Sequence, residues 1–164
     1  MARNDLKGKV VLIAGGAKNL GGLLSRDFAS KGAKVAIHYN SDSTKTDAEK
    51  TLADITNAGG EAFLFQADLT DVKNITKLFD ATIEKFGGID IAINTVGKVL
   101  KKPFADTTED EYDSMSDINS KVAYFFIQEV GKKLNDNGKI NTIVTSLLAA
   151  FTGYYSTYAG AKLR

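Results

Sequence analysis

"VVLIAGGAKNLGGLLSRDFASKG", Val10 to Gly32, is the stretch on which the reading of the fold turns. Its five leading apolar residues, Val10 to Ala14, suit a strand covered on both faces, because a half-exposed strand would alternate with polar residues. Glycines follow at once in "AGGAKNLGG", Ala14 to Gly22. Leu20, Leu24 and Phe28 then recur at the spacing of one helix face. Gly32 stands where a left-handed C-cap would return the chain to a second strand. A glycine between strand and helix lets backbone approach a diphosphate closely, and the helix N-terminus adds free N–H groups and partial positive charge. A glycine-rich turn can also bind nothing. Here its place between a buried strand and an amphipathic helix favours binding.

The same beat continues downstream. Gly59–Gly60 and Gly87–Gly88 each end a helical pattern and precede an apolar run. Ala48, Leu52 and Ile55 mark the second helix, and Val72, Ile75, Phe79, Ile83 and Phe86 the third. The apolar runs are "VAIHY" (35–39), "AFLFQA" (62–67), "IDIAIN" (89–94) and "INTIVTS" (140–146). Before the last run lies a longer helical pattern over 107–134, with Met115, Ile118, Val122, Phe126 and Val130 as its buried stripe. Pro103, the sole proline, sits ahead of it. A solenoid would need the beat to continue past Gly88, and it does not. Alternating strands and helices predict an α/β, doubly wound parallel sheet of order 3-2-1-4-5, with ligands at the carboxyl ends of the strands.

At 164 residues the chain has length for one sizeable core, so a single dinucleotide-binding domain over 1–164 is expected. Lys plus Arg number 21 against 20 Asp plus Glu, a balance unsuited to a general nucleic-acid binder. With no cysteine and one histidine, disulfides, thiol nucleophiles, serine–histidine triads and metal sites are not expected. "MARNDLKGK" carries charges where an export signal needs an apolar core, and no apolar stretch approaches membrane-spanning length, so a cytoplasmic, soluble protein is expected.

Gly15, Asn19 and Gly21, with Leu20 between the last two, resemble the TGxxxGxG loop of the short-chain dehydrogenase/reductase family. Ala14 stands for the threonine and Asn19 for the middle glycine. The resemblance continues along the whole chain. Asp68–Leu69 after the third strand is similar to the family's adenine contact. "NTVG", Asn94 to Gly97, stands where the family has NNAG. Asn119 in "INSKVAYFF" is similar to its active-site asparagine, and Tyr158-x-x-x-Lys162 to its catalytic pair. Each match is weak alone; their joint order and placement relative to the strands is the specific signal. The chain is similar to the family's 3-oxoacyl-[acyl-carrier-protein] reductase and pteridine reductase-like members, which implies a Rossmann-type sheet.

The resemblance implies an NADP(H)-dependent carbonyl reductase or alcohol dehydrogenase, with a small carbonyl or alcohol as substrate. Tyrosine ordinarily titrates near pKa 10, and a lysine one helical turn away favours its phenolate. Tyr158 then exchanges a proton with the substrate oxygen, Lys162 holds the nicotinamide ribose, and Asn119 holds a relay water. Either Ser146 or Thr145 supplies the hydroxyl that bonds the carbonyl, since neighbouring strand residues face opposite ways. The local motif selects Ser146, whereas the distance to the tyrosine fits Thr145.

Cofactor choice rests on the end of the second strand. An aspartate there would bind the adenosine ribose and repel a 2′-phosphate. This chain has Asn40 and Ser41 in that stretch, with Ser43 beyond and Lys18 in the glycine loop, so NADP(H) is expected over NAD. Asp42 is read as a helix-start residue, and His38 as a strand residue.

Family chains continue beyond the tyrosine helix through a sixth and a seventh strand. The reading therefore expects a sheet cut short after the fifth strand, in a shortened enzyme. An alternative is a non-catalytic NADP-binding chain or sensor. A free fifth-strand edge, Lys162 in a frayed last turn and a poorly covered "LLAAFTGYY" (147–155) are further expectations, together with a homo-oligomer, dimer or tetramer, built on the long helix.

Overall fold

Val11 and Ile13 point to one face of the first strand and Leu12 and Ala14 to the other, and all four are fully buried. That double burial dictates the layers. In the computed structural model, which describes residues 6–150 and 152–162, Val11 and Ile13 pack with Val35, Ile37, Ala29 and Ile55. Leu12 and Ala14 pack with Ala36, Ile75, Leu78, Phe79, Val122 and Phe126. Helices therefore cover both faces. The Phe79 and Phe126 rings meet edge to face at 5.1 Å between centroids.

The strands are β1 (Val10–Ala14), β2 (Lys34–Tyr39), β3 (Glu61–Gln66), β4 (Ile91–Asn94) and β5 (Lys139–Thr142). All neighbours are parallel, in the order β3-β2-β1-β4-β5, as the sequence predicts. The helices are α1 (Asn19–Ser30), α2 (Lys45–Asn57), α3 (Val72–Phe86), α4 (Glu109–Met115), α5 (Val122–Lys133) and α6 (Ser156–Lys162). Gly32, Gly59 and Gly87 follow α1, α2 and α3 with φ of 88°, 81° and 89°, the left-handed conformation expected of them.

Three details differ from expectation. The helix expected over 107–134 is interrupted by a π-helical turn, Ser116–Lys121, between α4 and α5. Most of its stripe survives: Met115, Val122, Phe126 and Val130 are buried, while Ile118, within the turn, is half-buried against the same core. The fifth strand stops at Thr142, and Ser146 instead opens a 3-10 turn, Ser146–Leu148. Leu20, assigned to the buried face of α1, is 46% exposed, because the first turn of that helix borders a cavity. Phe151, within the apolar 147–155 segment, and both ends of the expected 1–164 domain lie outside the described residues. Among those residues no helix is long and apolar enough to cross a membrane.

Candidate functional site

In a 3-2-1-4-5 sheet the chain turns to opposite sides after β1 and β4, leaving a crevice above their carboxyl ends. A cavity of about 390 Å³ lies there. It is lined by the glycine loop (Gly15, Lys18, Asn19, Leu20, Gly21), by His38 and Asn40 from the end of β2, by Leu69, and by Gly97 and Lys98 beyond β4. A groove of about 580 Å³ lies at the opposite end of the sheet, but its charges satisfy one another: Arg26 with Asp54 at 3.6 Å and Lys34 with Glu61 at 3.0 Å.

The glycine loop is shaped by close approach. Gly15 has φ of 78°, and a Cβ there would meet Thr95 Oγ1 at 2.7 Å. Asn19 has φ of 50°, a left-handed conformation that asparagine tolerates better than most residues, which explains how it replaces a glycine. The Ser25 hydroxyl, fully buried, lies 2.8 Å from the Gly16 carbonyl and 3.0 Å from that of Gly21. Thr95 Oγ1 donates to the Ala14 carbonyl at 2.8 Å. The N–H groups of Asn19, Leu20 and Gly21 open α1 without intrahelical acceptors, an edge suited to an anion.

Beyond β4, Gly97 lies against two of the expected catalytic residues. A Cβ on it would sit 2.8 Å from Lys162 Nζ and 2.9 Å from Asn119 Oδ1. Asn119, buried in the π turn, is fully engaged: Nδ2 donates to the Lys98 carbonyl at 3.0 Å and the Met115 carbonyl at 3.1 Å, while Oδ1 accepts from the Lys98 N–H at 3.2 Å. The Lys162 ammonium donates to the carbonyls of Val96 at 3.2 Å and Ile143 at 3.4 Å. Burial pushes its pKa below the ordinary lysine value. Asn94, also buried, accepts from the Val96 N–H at 3.0 Å and so shapes the turn that leads to Gly97.

Other expected residues stand further apart. Tyr158 is half-buried on α6, one turn before Lys162. Among the described residues no hydrogen bond joins it to Lys162, Asn119 or Ser146. Ser146 is exposed, whereas Thr145 Oγ1 accepts from the Leu147 N–H at 3.3 Å and caps the 3-10 turn. Asp68 is exposed and does not line the cavity. Its Oδ1 accepts from the Thr70 N–H and hydroxyl at 2.9 and 2.8 Å, while the neighbouring Leu69 is buried against the core. Ser41 precedes the 3-10 turn Asp42–Thr44, so Asp42 is a helix-start residue as expected. Lys18 reaches Asp47 at 3.6 Å.

His38, Ser25 and Thr95 are the positions that sequence reasoning missed. His38 is the one with a usable signal, as the chain's only histidine at the end of the strand beside the loop. The other two carry none, because a serine or threonine that supports a loop from the next element looks like any other hydroxyl.

A family model described as enoyl-(acyl carrier protein) reductase matches residues 15–164. A hydroxynaphthalene reductase-like protein of Metarhizium brunneum is 30% identical over 160 residues, covering 96% of this chain and 59% of the relative. The fold superposes with a TM-score of 0.94 on a protein of Burkholderia cenocepacia assigned as a dehydrogenase and solved with bound NADP. That protein is 59% identical, with 99% of this chain and 62% of the other covered. A short-chain dehydrogenase from Burkholderia cenocepacia J2315 in complex with NADP gives a TM-score of 0.90 at 30% identity, with 96% and 64% covered. The chain thus spans about 60% of the length of the proteins it matches.

Proposed function

The chain belongs to the short-chain dehydrogenase/reductase family, and from that membership we propose that it is an NADP(H)-dependent oxidoreductase, interconverting a carbonyl and an alcohol. The observation that carries this reading is the glycine-walled cavity at the switch point. Side chains at Gly15, Gly21 or Gly97 would fill it or clash behind it, and the first turn of α1, whose leading N–H groups have no intrahelical acceptors, forms part of its wall. That donor set fits a dinucleotide diphosphate.

NADPH, when bound, supplies the hydride. The protein's own residues do the rest. The N–H groups of Asn19, Leu20 and Gly21 hold the diphosphate, and Leu69 offers an apolar wall to the adenine. Lys18, Asn40 and Ser41 present a cation and neutral donors to the 2′-phosphate, with no carboxylate at the end of β2 to repel it. Asp68 Oδ1 accepts from Thr70, which leaves Oδ2 to accept from the adenine amine. Asn94 and Gly97 bring the turn beyond β4 close enough for Lys162 to reach the ribose.

Tyr158 donates the proton to the substrate oxygen, with the Lys162 charge one turn away favouring its phenolate. Ser146, whose neighbour Thr145 is committed to the turn, is the hydroxyl assigned to the carbonyl oxygen. Asn119 acts chiefly as a fixed post for Lys98, because its amide is engaged at both ends. A homo-oligomer, dimer or tetramer, belongs to the same reading: Tyr124 and Ile127 on α5 are 65% and 49% exposed.

Titration with NADPH followed by its oxidation on a ketone panel tests the proposal. Binding with turnover that depends on Tyr158 supports it. Binding without turnover, unaffected by Tyr158→Phe, supports the non-catalytic alternative, and no binding contradicts both.

A further inference from the structure

His38 has no part in the chemistry above, yet it is 2% exposed and faces the glycine loop. Its Nδ1 lies 3.0 Å from the Gly15 nitrogen and its Nε2 lies 2.9 Å from the Ala67 carbonyl oxygen. Gly15 N–H can only donate and a carbonyl can only accept. The two contacts are therefore satisfied together by one state of the ring, the neutral Nε2–H tautomer. The backbone reinforces it, since the Gly16 N–H donates to the His38 carbonyl at 2.9 Å. Gly15 is thus held from the β2 side by His38 and bounded from the β4 side by Thr95.

We infer that His38 is a positioning residue for the diphosphate loop: a neutral imidazole, fixed in one tautomer, that orients the Gly15 peptide and ties it to the β3 end from which Leu69 descends. The inference rests on the cofactor reading above for its consequence, but its geometry belongs to the free protein. The hold matters because the next peptide, whose Gly16 N–H donates to the His38 carbonyl, carries the Gly15 carbonyl oxygen, and that oxygen lies 2.0 Å from where a Cβ on Gly21 would fall. A turned Gly15 would displace the first turn of α1 and the N–H row with it. An imidazolium would direct an N–H at the Gly15 N–H, and burial accordingly holds the His38 pKa down at about 4. Burial outweighs the Ala67 hydrogen bond and the Asp68 charge beyond β3, both of which favour protonation, while Lys18 and Lys98 are the cations that line the same cavity.

The untagged full chain has a single histidine, so 1H–15N correlation spectra read this ring without assignment ambiguity. The expected spectrum has Nε2 protonated and Nδ1 bare from pH 8 to about pH 5. The Gly15 amide is expected to exchange slowly with solvent. In His38→Leu that protection is lost while Val35 and Ile37 stay protected, and NADP+ binds about tenfold more weakly. In His38→Asn the side-chain oxygen falls near the place of Nδ1 and accepts from Gly15, so affinity returns to within about threefold of the parent. Protonation on Nδ1 in the parent, or a folded His38→Leu that keeps both Gly15 protection and parental affinity, overturns the inference. A parent chain that binds no NADP+ overturns the cofactor reading instead, and the spectra and exchange rates then decide the hold on Gly15 by themselves.

Discussion

A Cβ placed on Gly21 would stand 2.0 Å from the carbonyl oxygen of Gly15, far inside contact distance. The obstruction is backbone on both sides, so no side-chain rotation relieves it. Gly21→Ala must therefore push α1 away from the loop. We expect a stability loss of about 1–3 kcal/mol by urea unfolding and NADP+ affinity lowered by about a hundredfold or more. A variant with parental affinity would mean that the N–H row does not meet the cofactor.

Acid sensitivity should trace to the one histidine. An unfolded chain takes up the His38 proton near pH 6.5, whereas the folded chain resists until about pH 4. The folded state is thus fully favoured above pH 6.5 and loses stability as pH falls towards 4, by up to about 3 kcal/mol. Urea midpoints measured across that window should fall more steeply for the parent chain than for His38→Asn. Parallel slopes would place the acid sensitivity elsewhere.

On the proposed reading, Lys18 should separate the two nicotinamide cofactors. Its pairing with Asp47 is long and half-exposed, a type of contact worth about 0–1 kcal/mol, so the amine is readily drawn to a stronger anion. Lys18→Ala should weaken NADP+ about tenfold and leave NAD+ within about twofold. Equal losses for both would show that the lysine serves the diphosphate instead.

Tyr158→Phe should remove the proposed proton donor and little else. Ketone-dependent oxidation of NADPH is expected to fall by about 10²–10⁴, with NADPH affinity changed by less than about threefold. A parallel loss of affinity would mean that the ring supports the site structurally.

The fold was legible because its signals are local. Val10–Ala14 announces a doubly covered strand by composition, and Gly32, Gly59 and Gly87 announce helix ends by the conformation that only glycine adopts freely. The walls of the cavity were legible where motif spacing constrains backbone, as at Gly15, Gly21 and Gly97. What depends on neighbours distant in sequence was not. The π turn at Ser116–Lys121 keeps an apolar residue, Ile118, between Met115 and Val122 as a plain helix would, so the pattern hides it. The end of β5 at Thr142 is set by pairing with Asn94, while the residues beyond it remain as apolar as a strand. Asp68 turns back onto Thr70, and His38 reaches across to Gly15; neither partner is visible from composition.

Calorimetric titration of the chain with NADP+, alongside NAD+, decides whether the glycine-walled cavity holds the phosphorylated cofactor. A glycine cradle backed by Lys18, Asn40 and Ser41 predicts one saturable site per chain for NADP+, with NAD+ at least about tenfold weaker. No saturable NADP+ binding, or equal affinity for the two, would contradict it.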